Sequence, residues 1–379
     1  MLQYFATRTD KPLVADAGEI QRPYRRYRWR VSCSQCWLGM RSRVSRRVIR
    51  ALSVVFLFVL VACEAPQEGY LFRYGHSQSP GSTRSQSMVF FKAQLEARSD
   101  KQISVENYFS GVLGNEREMM DMVATGVLQG TRGGLFADAN PRYAIFMLPF
   151  LVEDWDQAER LVNSSLAQEI NAGARDNGFH IPATGISQGF RAHTNSVRPI
   201  RSPEDLADLK MRVPPQQVYV LTAQAFGASP QEMPASEIYG ALRTGVLDGQ
   251  DNPPANIWDY HIYEVQKYMT VTHYSTGPDP FIVDLDWYDT LPEDLRDIFD
   301  AVAIETMRLS DQLNRSVEQE MIEKRGDVLE VNILTGDELR PFQELSASVY
   351  EYFIEQGTVT REDIQRAIRL ARGDEGTNE

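Results

Sequence analysis

The alternation of hydrophobic and polar positions predicts strands followed by helices along most of the chain. Residues 70–75 alternate as a strand does, and residues 87–96 then place their apolar side chains at helical spacing. Residues 115–124 repeat the helical spacing behind Asn115, a residue type that caps helices, and Gly126 follows as a stop signal. Strands that alternate with helices predict an α/β protein.

A short sequence occurs twice and suggests two related halves. Residues 125–130 read TGVLQG, and residues 244–249 read TGVLDG. Each copy follows a helical pattern, and its glycine lies where a helix should end and a buried strand should begin. The repetition therefore indicates either a short sequence that is common in helix-to-strand connections or two related α/β lobes.

A long stretch of helical spacing runs over residues 293–325. One unbroken helix of that length would extend about 50 Å, which exceeds one small domain. It therefore either bridges two lobes or breaks near Ser310 into a helical hairpin. Helix signals also occur at Ser202-Pro203 and over residues 362–370. The length of 379 residues and the apolar content of 42% allow two packed domains.

Charge divides the chain into two parts. It carries 39 Lys and Arg against 52 Asp and Glu, a net charge of −13. Residues 1–62 hold 12 Lys and Arg and 3 Asp and Glu, a net charge of +9, which leaves −22 for residues 63–379. Because nucleic-acid binding needs clustered basic residues, the acidic part excludes nucleic acid as a partner.

The basic beginning has the order of an export signal. Residues 40–47 are rich in arginine, and the uncharged run 51–62 follows, too short for a membrane-spanning helix of about 20 residues. The run ends Leu60-Val61-Ala62-Cys63, which resembles the lipobox of bacterial lipoproteins and implies cleavage before Cys63 and acylation of its thiol. An ordinary signal peptide followed by a coincidental cysteine is the alternative. We therefore expect residues 1–39 to lie upstream of the true start, 40–62 to be the signal peptide and 63–69 a tether.

Motifs for catalysis and for cofactors are weak. Residues 185–189 read Gly-Ile-Ser-Gln-Gly and match the Gly-x-Ser-x-Gly elbow of serine hydrolases, with Ser187 as the nucleophile. The residues that follow have the pattern of a strand and a turn, whereas an elbow runs directly into a helix. Cys33 and Cys36 precede the predicted cleavage, and no nucleotide-binding glycine loop or His-x-x-x-His pair occurs. We expect no metal and no cofactor.

Two arginines offer a better indication of function. Arg191 and Arg212 each lie in an apolar-flanked run that predicts a strand. A buried guanidinium needs an anionic partner because it cannot neutralise itself by losing its proton. Its planar fork suits a carboxylate, and the residues alone leave both a ligand and an internal Asp or Glu open as that partner.

Several longer blocks of sequence follow one another in a fixed order. They are residues 113–118 (LGNERE), 148–151 (LPFL), 189–200 (GFRAHTNSVRPI), 209–214 (LKMRVP), 226–230 (FGASP), 244–253 (TGVLDGQDNP) and 263–268 (YEVQKY). In this order they resemble the solute-binding proteins of tripartite ATP-independent periplasmic (TRAP) transporters, the C4-dicarboxylate-binding family. The resemblance runs from about residue 72 to residue 325.

This resemblance implies a two-lobed α/β binding-protein fold with a long helix that bridges both lobes. It implies lobe I over residues 70–189 plus about 278–317, lobe II over 190–277 plus about 318–372, and a flexible tail over 373–379. It also implies a monomeric periplasmic receptor, not an enzyme, which carries an organic acid to membrane-embedded permease subunits. With the lipobox, the receptor is expected to be tethered to a membrane through Cys63. A serine hydrolase and a solute-sensing module remain the alternatives.

The resemblance also assigns ligand-binding residues. It implies that Arg212 clamps the carboxylate and that Arg191 and Asn252 assist. We also expect Gln188 and Tyr274 to contact the ligand. Two positions depart from the family, since Ala235 replaces a common aromatic residue and residues 272–274 read Thr-His-Tyr for the usual Thr-Asn-His. Both departures lie in the part of the cleft that would select ligands by shape, so no particular acid is expected.

Overall fold

The computed structural model describes residues 69–133, 135–323 and 328–374, with the main chain only at Gln188. The predicted signal peptide, Cys63 and most of the predicted tail lie outside the described residues. The strands are β1 (Tyr70–Gly75), β2 (Ile103–Tyr108), β3 (Gly130–Arg132), β4 (Phe179–His180), β5 (Thr184–Asn195), β6 (Lys210–Val213), β7 (Ser229–Glu232), β8 (Gly249–Asn252), β9 (Tyr268–Asp284) and β10 (Glu330–Ile333). The α-helices are α1 (Thr83–Arg98), α2 (Glu116–Ala124), α3 (Phe136–Ala139), α4 (Trp155–Val162), α5 (Ser165–Gly173), α6 (Gln217–Ala225), α7 (Ile238–Arg243), α8 (Pro254–Asp259), α9 (Leu285–Thr290), α10 (Glu293–Glu323), α11 (Arg340–Glu355) and α12 (Arg361–Arg372). None of these helices is both long enough and apolar enough to cross a membrane.

The strands form one continuous sheet with two distinct halves. In the first half, β2, β1 and β3 are parallel, and β3 pairs antiparallel with the end of β9. In the second half, β8, β6 and β7 are parallel, and β8 pairs antiparallel with the end of β5. Helices cover both halves, which confirms the α/β prediction.

Two long antiparallel strands, β5 and β9, connect the halves. Thr184 pairs with Pro280 in the first half, and Asn195 pairs with Tyr268 in the second. Their register shifts between Ile186 and Ala192, so the ladder is irregular where the strands cross. The lobe boundaries expected at residues 189–190 and 277–278 fall within these two strands.

Helix α10 spans both halves as a single element. It is 31 residues long, so it does not break at Ser310 into the hairpin that the sequence left open. Its side chains Phe299 and Met307 belong to the aromatic core of the first half, whereas Ile322 packs against the core of the second. The bridging alternative is therefore correct.

The repeated sequence occupies equivalent positions in the two halves. Thr125 ends α2 and leads to β3, and Thr244 ends α7 and leads to β8. Each threonine hydroxyl donates to the carbonyl four residues earlier, that of Asp121 or of Gly240. The two copies thus form the same helix-to-strand connection, one in each half of the sheet.

The helix that the sequence predicts after Ser202 is shorter than expected. It consists of a single 3₁₀ turn, Pro203–Leu206.

The Gly-x-Ser-x-Gly motif lies inside β5 and does not form a nucleophile elbow. Gly189 has φ +103°, and a Cβ there would lie 2.0 Å from Oε2 of Glu318 on α10. A Cβ on Gly185 would lie 2.7 Å from Oδ1 of Asp311 on the same helix. The two glycines therefore allow α10 to pack closely on β5, and the serine lies within a strand that does not turn into a helix.

A buried glutamate marks the point where α10 meets both crossing strands. Oε2 of Glu318 accepts from Trp155 Nε1 at 2.9 Å and from the Phe190 main-chain N–H at 3.2 Å. Oε1 lies 3.5 Å from Nε2 of His273 on β9. Burial raises the pKa of Glu318 from 4.5 to about 7, and burial lowers the pKa of His273, so both groups favour their neutral forms.

We expect Glu318→Gln to stabilise the protein at alkaline pH. Unfolded Glu318 ionises near pH 4.5 and folded Glu318 near pH 7, so unfolding releases a proton between these values and stability falls as pH rises. The cost reaches up to about 3 kcal/mol above pH 7 and is absent below pH 4.5. Urea unfolding at pH 4.5, 6 and 8 should therefore show a gain for the variant that grows with pH. The matched control Glu344→Gln, on the exposed face of α11, should show no such trend. A gain that is equal at all three pH values would contradict the prediction.

Candidate ligand-binding site

A cavity of about 80 Å³ lies at the carboxyl ends of parallel strands from both halves of the sheet. Ends of parallel strands are the usual place for ligands in open α/β sheets. We call this cavity the cleft. Its lining consists of Ser77, Gln78, Arg84, Glu116, Gly133, Phe136, Ser187, Arg191, Arg212, Pro214, Pro215, Gln216, Tyr219, Ala235, Asn252, Asn256, Tyr260 and Gly277.

Arg212 presents a buried charge to the cleft without an internal counter-ion. It lies in β6 and is 3% exposed, and its Nε donates to the Met233 carbonyl at 2.8 Å. Within the described part of the chain, no carboxylate lies within ion-pair distance of this guanidinium. Burial lowers the pKa of Arg212 to about 10, because Asp251, the carboxylate that most favours its charge, does not compensate for the loss of water.

Arg191 is neutralised inside the protein. Its Nε donates to Oδ2 of Asp251 at 2.5 Å, and its Nη2 donates to the Asp251 carbonyl at 2.8 Å. Its guanidinium carbon also lies 4.2 Å above the Tyr219 ring. Burial opposes ionisation of Asp251, but Arg191 outweighs burial and holds the pKa of that carboxyl below its ordinary value. The two arginines, which the sequence could not distinguish, therefore have different partners.

The other predicted site residues divide between the cleft and its surroundings. Asn252 lines the cleft, where its Nδ2 donates to the Gln250 side chain and its Oδ1 accepts from Asn256 at 3.4 Å. Tyr274 is not in the lining. Its hydroxyl donates to Asp251, which is not a lining residue either. The side chain of Gln188 is not among the described ones.

Three further lining residues were missed by the sequence interpretation. Arg84 lies in the first turn of α1 and is 4% exposed. Gln78 follows β1 and its Nε2 donates to Asn256 at 3.1 Å, whereas Glu116 begins α2 and accepts from Ser77 at 2.6 Å. A signal existed for Arg84, since a cation in the first turn of a helix opposes the helix dipole and needs another reason to be there.

The arrangement suits binding of an anion through hydrogen bonds and charge. Amide, hydroxyl and guanidinium groups line the cleft from both halves of the sheet. Throughout the described ranges, no group of three or more His, Cys, Asp or Glu side chains is placed to hold a metal ion.

Comparison with known proteins places the chain in a family. Residues 74–356 match the model of the bacterial extracellular solute-binding protein family 7, DctP. The C4-dicarboxylate-binding periplasmic protein DctP of Rhodobacter capsulatus is 25% identical over 83% of this chain and 95% of its own length. The sialic acid-binding periplasmic protein SiaP of Vibrio cholerae is 29% identical over 81% of this chain and 95% of its own.

A solved structure agrees with the sequence matches. The TRAP periplasmic solute-binding protein of Polaromonas, bound to D-erythronate, has a TM-score of 0.75 and 25% identity, and the match covers 79% of this chain and 98% of that one. The match to the family model extends over most of the described residues, including both halves of the sheet and the cleft. The chain belongs to the bacterial extracellular solute-binding protein family 7, whose members include the periplasmic receptors of TRAP transporters.

Proposed function

We propose that this protein binds an organic acid in the cleft and delivers it to a TRAP-type membrane transporter. The observation that carries the proposal is Arg212, a buried guanidinium that opens on the cleft and has no carboxylate partner among the described residues. A carboxylate ligand would supply the missing negative charge and could bind the planar fork through two parallel hydrogen bonds. The named relatives bind a dicarboxylate, sialic acid and D-erythronate, all of which are carboxylic acids.

Lobe motion accompanies binding in this proposal. The lobes are those expected from the sequence, with residues 70–189 and about 278–317 in one and 190–277 and about 318–372 in the other. Because the cleft takes residues from both halves of the sheet, an acid can favour a closed state only by contacting both. Arg191, Asn252 and Gln188 are proposed to assist Arg212, whereas Tyr274 acts through Asp251.

A thermal-shift screen of the purified protein against organic acids tests the proposal. An acid present at 100 times its dissociation constant adds about 2.7 kcal/mol of stability, which raises the melting temperature measurably. We expect at least one acid to stabilise the wild type, and the same acid to stabilise Arg212→Ala by less than half as much. Equal stabilisation of the two proteins, or none of the wild type by any acid, would contradict the proposal.

We also propose that the protein is not an enzyme, so that it makes and breaks no covalent bond in its ligand. Support comes from Ser187, which lies within β5 and not on an elbow, and from the family, whose members are binding proteins. Ester hydrolysis that is lost in Ser187→Ala would support the serine hydrolase instead. Co-purification with permease subunits would favour transport over solute sensing.

The proposed location is the periplasm, with a lipid tether at Cys63. The named relatives are periplasmic, and the tether rests on the lipobox-like sequence that ends at Cys63. Metabolic labelling with an alkyne fatty acid should mark the wild type and leave Cys63→Ala unmarked. Equal labelling of both proteins, or a wild type that carries no lipid label, would contradict a lipid tether at Cys63.

A further inference from the structure

Helix α8, in the second half of the sheet, lies against residues 77–79, which come shortly after β1 in the first half. Ile257 of α8 packs in the core of the second half. Asn256, Asp259 and Tyr260 are spaced three and four residues apart, so their side chains lie on the same side of the helix. This side contacts the first half at a place that involves neither of the crossing strands β5 and β9.

Asp259 uses both of its carboxylate oxygens in this contact. Its Oδ2 accepts from the Ser79 main-chain N–H at 3.2 Å, and its Oδ1 accepts from the Ser79 hydroxyl. Beside this pair, Nε2 of Gln78 donates to Oδ1 of Asn256 at 3.1 Å. Hydrogen bonds to an ionised carboxylate are stronger than those between neutral groups. The Ser79–Asp259 pair is therefore the stronger of the two contacts.

The Ser79–Asp259 pair lies beside the cleft and is not part of it. Gln78 and Asn256 belong to the described lining of the cleft, whereas Ser79 and Asp259 do not. Asp259 instead lines a separate crevice of about 150 Å³, to which Met321 of α10 also contributes. An acid bound in the cleft would not touch Asp259, so an effect of this residue on binding must act through the arrangement of the two halves.

The contact favours the arrangement in which the two halves are together. Asp259 is the last residue of α8, where the negative end of the helix dipole opposes a carboxylate. The two donors of Ser79 compensate for this cost only while the halves stay in contact. Because neither residue lies on β5, β9 or α10, which connect the halves, separation of the halves would break both hydrogen bonds.

We propose that the Ser79–Asp259 pair is a latch that holds the two halves closed on the bound acid, which makes Asp259 a positioning residue for binding. This inference rests on the proposed function and deepens it, because it names a contact outside the cleft that sets how long the acid is held. A contact made only in the closed state raises the closed fraction and with it the apparent affinity. It also slows release, since the acid leaves only after the latch has opened.

Titration and stopped-flow release test the latch, with the acid that stabilises the wild type most in the thermal screen as the probe. Asp259→Ala removes both acceptor oxygens, whereas Ser79→Ala removes the hydroxyl donor and keeps the main-chain N–H. The matched control is Glu355→Ala, which removes an exposed carboxylate from the last position of another helix, α11. Urea unfolding without ligand shows whether each variant keeps its fold.

We expect Asp259→Ala to bind the acid about tenfold more weakly than the wild type, Ser79→Ala about threefold more weakly, and Glu355→Ala equally well. In the first two variants the dissociation rate should rise by the same factor as the dissociation constant. The association rate should stay within twofold of the wild type, because the latch forms after the acid has entered.

Unchanged release in Asp259→Ala and Ser79→Ala, or a loss of affinity that lies in the association rate alone, would overturn the latch. Ser79→Ala decides the question if Asp259→Ala does not fold. Unchanged binding in both, together with lost binding in Arg212→Ala, would contradict the latch and leave the proposed function intact. No binding of any acid in the thermal screen would contradict both.

Discussion

Replacing Arg212 by alanine should weaken binding of the carboxylate ligand by about 2–5 kcal/mol. The variant would leave the ligand carboxylate in a buried cleft without its cationic partner, and truncation of one member of a buried charge pair typically costs this much. Arg212→Lys should not restore the affinity, because an ammonium group lacks the planar fork that binds both carboxylate oxygens. Isothermal titration of the stabilising acid against the three proteins measures the effect. Unchanged affinity in both variants would contradict the clamp.

The same substitution should not destabilise the ligand-free protein. Burial lowers the pKa of Arg212 to about 10, so below pH 10 the folded state carries a cation that the unfolded state holds more favourably in water. Removing this cation removes the free-energy cost of burying its charge. This gain offsets the packing that is lost when the side chain is truncated. Equal or higher stability of Arg212→Ala in urea would separate a loss of binding from a loss of fold.

Replacing Asp251 by asparagine should destabilise the ligand-free protein by about 3–5 kcal/mol. Asp251 is the carboxylate that neutralises Arg191, and both side chains are less than a tenth exposed. Removing one member of a buried ion pair leaves the other charge without compensation, and here Arg212 adds a second cation in the same cleft. Urea unfolding without ligand measures the loss.

Tyr274→Phe is the matched control for this variant. It removes the hydroxyl that donates to Asp251 and leaves every charge in place, so we expect a smaller loss of about 1.5–3 kcal/mol, the usual contribution of a hydrogen bond to a charged group. Similar losses in the two variants would show that hydrogen bonding at Asp251, and not its charge, stabilises the site. A stable Asp251→Asn would mean that Arg191 has another counter-ion.

The order of strands and helices was accessible from the sequence because each element repeats a local pattern. The helical spacing over residues 293–325 predicted a helix, and α10 covers Glu293–Glu323 of this stretch. Whether that helix would break at Ser310 depended on packing against both cores, which periodicity does not record. The repeat at Thr125 and Thr244 was likewise visible, but its meaning required the two equivalent connections in the sheet.

The candidate site was harder to predict from the sequence, because the partners of a charged residue are remote in the sequence. Arg191 and Arg212 had the same local signature, and only the fold places Asp251 against one of them. Arg84 and Asp279 lie far apart in the chain, so their contact could not be read from spacing. Gly185 and Gly189 suggested a catalytic motif. In the structure, these positions require glycine because α10 packs closely against them.

Pairing of the ligand carboxylate with Arg212 can be tested by one titration experiment. The stabilising acid and its primary amide, in which the carboxylate meant for Arg212 is replaced, are titrated into the wild type and into Arg212→Ala. The wild type should bind the acid at least a hundredfold more tightly than the amide, and Arg212→Ala should discriminate between them less than threefold. A strong preference of Arg212→Ala for the acid would show that the carboxylate binds elsewhere and would contradict its pairing with Arg212.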